Sequence, residues 1–229
     1  MPDDALYTRQ NRIGLNIPND VTVVGLGGIG AWVAIGMAMS GVPNLFLFDP
    51  DNMEESNRNR LPFCQGSINV PKVEVVANFC RAIRPDANIV AIAEKLEDLY
   101  LRIQLSTSSL FMDCTDSPKA QYNIFQACKK IGKRYIRIGY DGTHGTISSN
   151  VSGWIKTDVE EEAYTVNPSW VVPSAVFAML GVGKALKYPD QEVSIDLSEI
   201  GIPVLRKKSS RLTNRCATPP DNPSMRRRR

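Results

Sequence analysis

Three glycines at the spacing G-x-G-x-x-G constrain this chain more than any other feature: Gly25, Gly27 and Gly30, within the stretch VVGLGGIG. The run before them is β-branched and apolar, and the run after them has apolar residues at helical spacing. The first glycine permits a tight turn, the second lets the backbone approach an anion, and the third lets the helix pack on the strand. The sequence therefore predicts a strand, a phosphate-binding loop that includes Gly28, and a helix whose N-terminal amides face the phosphate.

The rest of the chain alternates apolar, strand-like runs with helical ones. Such alternation predicts an α/β fold, a Rossmann-like and mostly parallel sheet flanked by helices with right-handed crossovers. The stretches RYIRIGYDG and GTISSNVSGWI are strand-like, and the region of the second one is expected to turn antiparallel, which adds antiparallel strands in the C-terminal half. The last helix, in PSWVVPSAVFAMLGVGKALK, is expected to start or kink at Pro173. In an open sheet of this kind the glycine loop lies at the carboxyl edge, where ligands bind.

Composition indicates one folded domain with two appendages. With 229 residues, 43% of them hydrophobic and 22% charged, the chain is long enough to bury one core. We place an N-terminal arm at residues 1–20, the folded domain at 21–205 and a tail at 206–229. The tail is rich in Lys and Arg and poor in large apolar residues, so we expect it to be disordered. It could contact RNA or an acidic partner, or serve only as a solubilising extension.

Several missing patterns narrow the class of protein. No apolar run approaches the ~20 residues that a membrane span needs, and the start of the chain, MPDDALYTRQN, lacks a signal-peptide pattern. We therefore expect a cytoplasmic protein. The five cysteines form no CxxC pair, which argues against a disulfide framework and against structural zinc.

An acidic residue stands about 20 residues beyond the loop, as in dinucleotide-binding folds. Asp49 ends the second predicted strand, NLFLFD, at the same edge of the sheet. A carboxylate there can accept hydrogen bonds from ribose hydroxyls. The loop and this acid together indicate a nucleotide, but they fit NAD as well as ATP.

The next loop indicates a more highly charged ligand. The stretch ESNRNR contains four polar or cationic residues, Asn57, Arg58, Asn59 and Arg60. An NAD site has little use for several cations, because backbone amides largely satisfy its pyrophosphate. Lys72 then stands in the first turn of a helix, where the helix dipole disfavours a cation. A nearby anion would explain it, although a solvated lysine explains this single position equally well.

Two carboxylates follow a later strand, in FMDCTDSP: Asp113 and Asp116. They are expected at the same carboxyl edge as the glycine loop. Hard oxygen ligands at this edge suit Mg2+ that bridges phosphate oxygens, so Asp116 is the candidate magnesium ligand. The alternative is that Asp116 caps the helix that begins at SPKA.

In this order and spacing, the motifs resemble those of the ThiF-like adenylyltransferases, which include the activating enzymes of sulfur carriers and of ubiquitin. The resemblance covers most of residues 7–190 and depends on YTRQNRI, GLGGIG, LFDPDNMEESNRNRLPF, VPKVEVVANFCRAIRP and LFMDCTDS. It implies ATP and Mg2+ as cofactors. It also implies that Asp49 binds the ATP ribose and that Asp116 binds the metal. Asn57, Arg60 and Lys72 would contact the phosphates.

The resemblance further implies a dimer and a protein substrate. Arg9, in YTRQ, is similar to the arginine that reaches into the partner's ATP site, so a homodimer or a heterodimer with a related chain is expected. The implied reaction is attack of a carboxylate on the α-phosphate of ATP, for which Arg9, Arg60 and Lys72 would neutralise charge. The implied carboxylate is the C-terminal glycine of a ubiquitin-like or sulfur-carrier protein. Residues 140–168 are the best candidate to bind it.

The sequence departs from the family at its cysteines. Many members carry a transfer cysteine in a crossover loop and two CxxC pairs for zinc, but this chain has no cysteine between Cys128 and Cys216. Thioester transfer at the usual place and the usual zinc site are therefore not expected. The cysteines up to Cys128 are most simply core residues. The single histidine, His144, is expected in a turn, without a catalytic role.

Three alternatives remain open. The family includes enzymes that adenylate a carboxylate on a modified tRNA nucleoside, and the basic tail would suit RNA. An NAD(P)-dependent oxidoreductase would explain the glycine loop and Asp49, but neither SNRNR nor Lys72. A non-catalytic subunit of a heterodimeric activating enzyme would explain the missing cysteine, although such subunits can lose ATP-site charges that this chain keeps.

Overall fold

The structure is a computed structural model that describes residues 4–61, 63, 66–94, 106–152, 168–189 and 191–199. In this part of the chain the strands are β1 Asp20–Val24, β2 Asn44–Phe48, β3 Asn88–Ile92, β4 Leu110–Asp113, β5 Arg134–Asp141, β6 His144–Ser148 and β7 Val193–Asp196. The helices are α1 Asp4–Tyr7, α2 Gly28–Ser40, α3 Lys72–Ile83, α4 Pro118–Lys130 and α5 Val171–Leu186. Short 3-10 turns occupy Gln10–Ile13 and Glu55–Asn59.

All seven strands belong to one sheet of order β3-β2-β1-β4-β5-β6-β7. The strands from β3 to β5 are parallel to their neighbours. The pairs β5–β6 and β6–β7 are antiparallel. The predicted fold, a mostly parallel sheet with antiparallel strands in the C-terminal half, is confirmed.

The direction of the strand order reverses between β1 and β4. The chain runs outward from β1 through β2 to β3, and then crosses to β4 on the other side of β1. Connections that leave on opposite sides open a crevice at the carboxyl ends of the two central strands. The loops that follow β1 and β4 therefore lie side by side at this switch point.

Helices pack on both faces of the sheet. The larger apolar cluster joins α2, α3 and α5 to inward-facing strand residues such as Val23, Leu47 and Met112. The smaller cluster joins α4 to residues of the opposite face, including Phe111 and Tyr135. Successive side chains of a strand point to opposite faces, so β4 and β5 contribute to both clusters.

Local sequence sets the ends of the main helices. α2 ends at Ser40 because Gly41 adopts a left-handed φ of 100° and its N–H bonds to carbonyls of the last turn. α5 begins at Val171, two residues before Pro173, so the alternative that the helix starts at this proline is wrong. Proline fits in the first turn of a helix, where its missing N–H would have no acceptor.

No helix in the described ranges is both long enough and apolar enough to cross a membrane. The basic tail at 206–229 and residues 153–167 of the predicted substrate segment fall outside the described residues.

Candidate active site

The glycine loop joins β1 to α2 at the switch point. Gly25 has a φ of 81°, and a Cβ there would lie 3.0 Å from the backbone carbonyl carbon of Cys114, just after β4. A Cβ at Gly30 would overlap the carbonyl oxygen of Gly25. Both positions therefore require glycine, and together they hold the start of α2 against the loop after β4.

Gly27 and Gly28 have different surroundings. Nothing lies within 4 Å of a Cβ placed at Gly27, so this residue borders open space. A Cβ at Gly28 would lie 2.6 Å from Ser174 Oγ and 2.9 Å from Arg60 Cδ. The first N–H groups of α2 have no acceptor within the helix, and they point out of its N-terminus toward the space beside Gly27. This arrangement favours an anion.

Asp49 lies at the end of β2, next to the glycine loop, and is only 5% exposed. Its Oδ2 accepts a hydrogen bond from the Leu26 N–H at 2.5 Å, and its Oδ1 accepts one from the Asp51 N–H at 2.8 Å. Burial raises the pKa of this carboxyl, against the opposing effect of Lys72 and the two N–H groups. The carboxylate thus holds the loop in place, and each oxygen keeps a further lone pair for another donor.

The turn Glu55–Asn59 holds one predicted phosphate ligand, Asn57, and the neighbouring Arg58 in different surroundings. Asn57 is buried, and its Oδ1 accepts a hydrogen bond from the Glu54 N–H at 3.0 Å, which caps the turn. Arg58 forms a surface ion pair with Glu55 at 2.5 Å. The side chain of Arg58 is therefore directed to solvent and away from the glycine loop.

Arg60 lies over the start of α2. Its Cδ packs beside Gly28, its Nη1 donates to the Ser56 carbonyl at 2.7 Å, and its own carbonyl accepts from Trp32 Nε1 at 3.0 Å. These contacts position a guanidinium beside the N-terminus of α2. Of the two arginines in the cluster, Arg60 is the one that the structure brings to the loop.

Lys72 begins α3, and its charge has a partner. Its Nζ lies 2.8 Å from Asp51 Oδ2, and its backbone N–H donates to the Asp51 carbonyl at 2.9 Å. The side chain is 12% exposed and lowers the pKa of Asp49. Asp51 is therefore the nearby anion that was expected beside Lys72, a cation at a helix N-terminus. The sequence analysis missed Asp51, although it stands two residues after Asp49.

Asp113 and Asp116 have separate environments. Asp113 is fully buried; Thr115 donates to its Oδ1 through the N–H and the hydroxyl, and the Tyr135 hydroxyl donates to its Oδ2 at 2.7 Å. Asp113 is thus part of a buried hydrogen-bond network. Asp116 is exposed at the same edge. The hydroxyl of Ser117 caps α4, so the interpretation of Asp116 as the cap is wrong.

The carboxylates suit only one kind of metal site. Within the described ranges, no group of three or more His, Cys, Asp or Glu could hold a metal ion. Mg2+ in nucleotide sites is commonly bound by one or two carboxylates together with phosphates and water. Asp116 fits that kind of site, in which the ligand supplies most of the coordination.

Arg9 lies far from the glycine loop of its own chain. Its neighbour Gln10 donates through Nε2 to the Ser40 carbonyl at 2.7 Å, at the C-terminal end of α2. The glycine loop lies at the other end of this 13-residue helix, which is about 20 Å long. A single chain therefore does not bring Arg9 together with Arg60 and Lys72.

The start of α5 supplies residues that the sequence analysis missed. Ser174 is buried beside Gly28, and its Oγ is 2.8 Å from the Tyr140 hydroxyl. The Tyr140 ring stacks on Phe177 with centroids 6.2 Å apart. These contacts join β5 and α5 to the glycine loop. They connect distant parts of the chain, so no local pattern could have found them.

The described cysteines, Cys80, Cys114 and Cys128, are free thiols, and Cys64, also predicted as a core residue, lies outside the described residues. Cys80 and Cys128 are buried, and burial raises the pKa of each thiol to about 12, which confirms their prediction as core residues. Burial also raises the pKa of Cys114. His144 is the first residue of β6, not part of a turn as expected, and its Nε2 lies 3.3 Å from Ser194 Oγ.

Comparison with known proteins gives consistent matches. The model of the ThiF family matches residues 18–166. The sulfur carrier protein ThiS adenylyltransferase of Escherichia coli (strain K12) is 27% identical over 153 residues, which are 66% of this chain and 60% of that protein. The tRNA threonylcarbamoyladenosine dehydratase of Haemophilus influenzae is 30% identical over 124 residues, 53% of this chain and 48% of that protein. The crystal structure of E. coli MccB with succinimide matches with a TM-score of 0.67 and 19% identity, over 84% of this chain and 62% of that chain.

The chain spans less than two thirds of the length of each of these relatives. The similarity to MccB, at 19% identity, shows a shared fold. The family model covers more than half of the chain and includes the glycine loop, Asp49, Arg60, Lys72 and Asp116. The chain therefore belongs to the ThiF family.

Proposed function

We propose that this chain is a cytoplasmic enzyme that uses ATP to adenylate the C-terminal glycine carboxylate of a ubiquitin-like or sulfur-carrier protein. The observation that supports the proposal is the position of two cations: Arg60 Cδ lies beside Gly28 at the N-terminus of α2, and Lys72 lies close enough to Asp49, which accepts the Leu26 N–H of the glycine loop, to lower its pKa. A relative in the same family is named as an adenylyltransferase of the sulfur carrier ThiS, which supports this substrate class.

The residues around the loop suit a nucleoside triphosphate. The N–H groups at the start of α2 would bind phosphate oxygens at Gly27, and Asp49 would accept hydrogen bonds from the ribose hydroxyls. Arg60 lies beside these N–H groups, and its guanidinium can bind two phosphate oxygens at once. Asn57 would donate through its side-chain amide, because its Oδ1 is already an acceptor within the turn.

Lys72 and Asp116 complete the proposed site. Lys72 exchanges its ion pair with Asp51 for a phosphate, at low cost because the Asp51 side chain is 64% exposed. Asp116 would hold Mg2+, which would supply positive charge that neutralises the phosphates. We include no structural zinc in the proposal.

The reaction needs charge neutralisation more than proton transfer. A carboxylate oxygen forms a bond to the α-phosphorus, the bond from that phosphorus to pyrophosphate breaks, and no proton has to move. Two anions must approach each other, so Arg60 and Lys72 stabilise the transition state by reducing repulsion. Neutral or buried groups such as Asp113 need not take part.

We also propose that Arg9 acts in the site of a partner copy. Large apolar side chains are exposed around the N-terminal arm and the outer sides of α2 and α5, namely Leu6, Ile13, Met39, Met179 and Tyr188. The Lys187 Nζ donates to the Ile13 carbonyl at 2.7 Å, which places the arm beside the end of α5. If two copies pair these faces about a two-fold axis perpendicular to α2, each α2 runs antiparallel to its copy. The Arg9 end of one helix then lies beside the glycine loop of the other.

The test of the reaction is ATP–pyrophosphate exchange with Mg2+ and a panel of ubiquitin-fold carriers that end in Gly-Gly. We expect exchange that requires the terminal carboxylate of one carrier and is lost in Asp116→Ala. Binding of Mg-ATP without exchange for any carrier would contradict the carrier substrate. Tight NADH binding that Mg-ATP does not reduce would instead favour an oxidoreductase.

The test of the dimer is complementation between two inactive variants. Arg9→Ala and Lys72→Ala homodimers each lack a complete site, whereas a mixed dimer has one intact site. Mixing them in equal amounts should restore about a quarter of the wild-type activity, if subunits exchange freely. No recovery after verified subunit exchange would show that Arg9 does not act in trans, and a monomer by light scattering would exclude the homodimer.

A second candidate is a carboxylate on a modified tRNA nucleoside. Lys129, Lys133 and Arg134 line a shallow cleft with Phe125, and a relative is named as a tRNA threonylcarbamoyladenosine dehydratase. The three cations suit the phosphates of a nucleic acid, whereas the Phe125 ring is buried and does not present a face to a base. Loss of salt-sensitive tRNA binding on deletion of residues 206–229 would support this candidate, and no tRNA binding by the full chain would remove it.

A further inference from the structure

Asn59 belongs to the polar and cationic cluster after β2, but the proposed reaction assigns it no role. Both polar atoms of its side chain are hydrogen-bonded. Its Oδ1 accepts from Arg60 Nη1 at 2.9 Å, and its Nδ2 donates to the Ser169 carbonyl at 2.8 Å. Asn59 and Ser169 are 110 residues apart in the chain. The Asn59 side chain therefore joins Arg60 to the segment that leads into α5.

The Arg60 side chain is held at two places. Its Cδ packs beside Gly28, at the start of α2. At the other end, Nη1 donates to the Ser56 carbonyl at 2.7 Å as well as to Asn59. A terminal guanidinium nitrogen carries two N–H groups in the plane of the group, so two acceptors at this nitrogen fix the rotation of the guanidinium. Without Asn59, only the Ser56 carbonyl would orient Nη1.

A chain of hydroxyl groups continues from Ser169 to the glycine loop. The Ser174 hydroxyl donates to the Trp170 carbonyl at 2.8 Å, so its oxygen accepts from the Tyr140 hydroxyl, also at 2.8 Å. The Tyr140 oxygen in turn accepts from the Ser169 hydroxyl. Each hydroxyl has one proton to donate, and this fixes the direction of the chain. Ser174 ends the chain, fully buried beside Gly28.

These contacts close a ring at the start of α2, in which each residue touches the next and the last one touches the first. Its members are Gly28, Arg60, Asn59, Ser169, Tyr140 and Ser174. They come from the start of α2, the turn after β2, the end of β5 and the start of α5 with the residues before it. Four separate segments thus meet around Arg60, the cation of the ring.

We propose that Asn59 and Tyr140 are positioning residues that hold the Arg60 guanidinium for the ATP phosphates. This inference rests on the proposed function, since it concerns the same site. Asn59 acts directly on the guanidinium. Tyr140 acts through Ser169, whose carbonyl accepts the N–H of Asn59. A charge that is already oriented needs no rearrangement during the reaction, so it stabilises the transition state better than a mobile charge does.

The test measures ATP–pyrophosphate exchange with Mg2+ and the Kd for Mg-ATP in two variants. Asn59→Ala removes both amide bonds. Tyr140→Phe removes the two hydroxyl bonds and keeps the ring that stacks on Phe177. We expect exchange to fall by about 10-fold for Asn59→Ala and about 3-fold for Tyr140→Phe, and the Kd for Mg-ATP to rise by about 2- to 5-fold for Asn59→Ala. Asn59→Gln, which keeps an amide, should recover part of both losses.

A double-mutant cycle with Arg60→Ala distinguishes positioning from a general loss of structure. If Asn59 and Tyr140 act through Arg60, neither substitution lowers exchange by more than about 2-fold once Arg60 is alanine. Asn78→Ala is the matched control, because Asn78 Oδ1 accepts from Arg81 Nη1 at 2.8 Å on α3. This control should leave exchange unchanged. Thermal unfolding of each variant shows whether the fold is retained.

Two negative outcomes have different meanings. If Arg60→Ala abolishes the exchange of the wild type, but Asn59→Ala has no effect or the same effect in both backgrounds, the positioning role is refuted and the proposed function stands. If the wild type shows no exchange with any carrier, the proposed function fails. The Kd for Mg-ATP then decides the positioning role, which is refuted if Asn59→Ala binds Mg-ATP as tightly as the wild type or if the wild type does not bind it.

Discussion

The two sides of the switch point hold their polar groups by different means. On the β1–β3 side, backbone geometry holds them: Gly25 packs against the backbone after β4, and Asp49 accepts two backbone N–H groups. On the β4–β7 side, side chains of separate strands hold one another, as in the bonds from Tyr135 to Asp113 and from Arg137 to Thr146. Backbone N–H groups can bind anions in general, whereas a network of side chains can distinguish one substrate from another.

The largest expected effect is on catalysis at the β1–β3 side. Arg60→Ala and Lys72→Ala should each lower the rate of ATP–pyrophosphate exchange by about 100-fold or more, since each removes a positioned charge at the phosphates. Arg58→Ala is the matched control, because Arg58 pairs with Glu55 at the surface. Equal losses for Arg58→Ala and Arg60→Ala would contradict the placement of the site.

Two substitutions in the glycine loop should have different effects, one on the stability of the fold and the other on Mg-ATP binding. Gly30→Ala places a methyl group against the carbonyl of Gly25, so we expect the free energy of unfolding to fall by about 2–3 kcal/mol. Gly27→Ala meets no neighbour and should change that free energy by less than about 0.5 kcal/mol. It should nevertheless weaken Mg-ATP binding strongly, because the methyl group occupies the space beside the N-terminus of α2. Denaturant unfolding and calorimetry check the pair, and intact Mg-ATP binding by Gly27→Ala would place the phosphates elsewhere.

On the β4–β7 side, Asp113→Asn should affect stability in a pH-dependent way. The substitution removes one acceptor from the buried network and should cost about 1–3 kcal/mol. Burial raises the pKa of Asp113 above its ordinary value of 3.8. The folded state then binds the proton more tightly than the unfolded state, so this group stabilises most at low pH, and its contribution falls as the pH rises through the raised pKa. The difference in unfolding free energy between wild type and variant should therefore shrink from pH 4 upward, and a difference that grows with pH would contradict this sign.

The smallest expected effect concerns Asp51, whose carboxylate competes with phosphate for Lys72. Asp51→Asn should tighten Mg-ATP binding by about 2- to 5-fold, the factor that corresponds to a weak, exposed ion pair. Glu55→Gln, which frees Arg58 in the same way, should have no such effect. Weaker Mg-ATP binding in Asp51→Asn would show that Asp51 helps to position Lys72 more than it competes with the nucleotide.

Motifs on the β1–β3 side were easier to predict because neighbouring residues determine them. The strand before Gly25 and the helix after the glycine loop follow from local geometry, and the structure confirms both elements. Ser174 was missed because its contact with Gly28 of the loop joins distant segments, and the same holds for the bond between Ser174 and Tyr140. Asp116 was considered as a cap because it stands close to the first turn of α4, and only coordinates distinguish it from Ser117.

The sequence by itself determined the order of strands and helices, the glycine loop and the family, because strand and helix periodicity and glycine spacing are local properties of the chain. The tertiary structure decided which charged residues meet. It separated Arg58 from Arg60, paired Lys72 with Asp51, buried Asp113 in a network, and left Arg9 at the far end of α2. Each of these outcomes depends on side-chain direction and on the strand order around the switch point, and neither is encoded in a short segment.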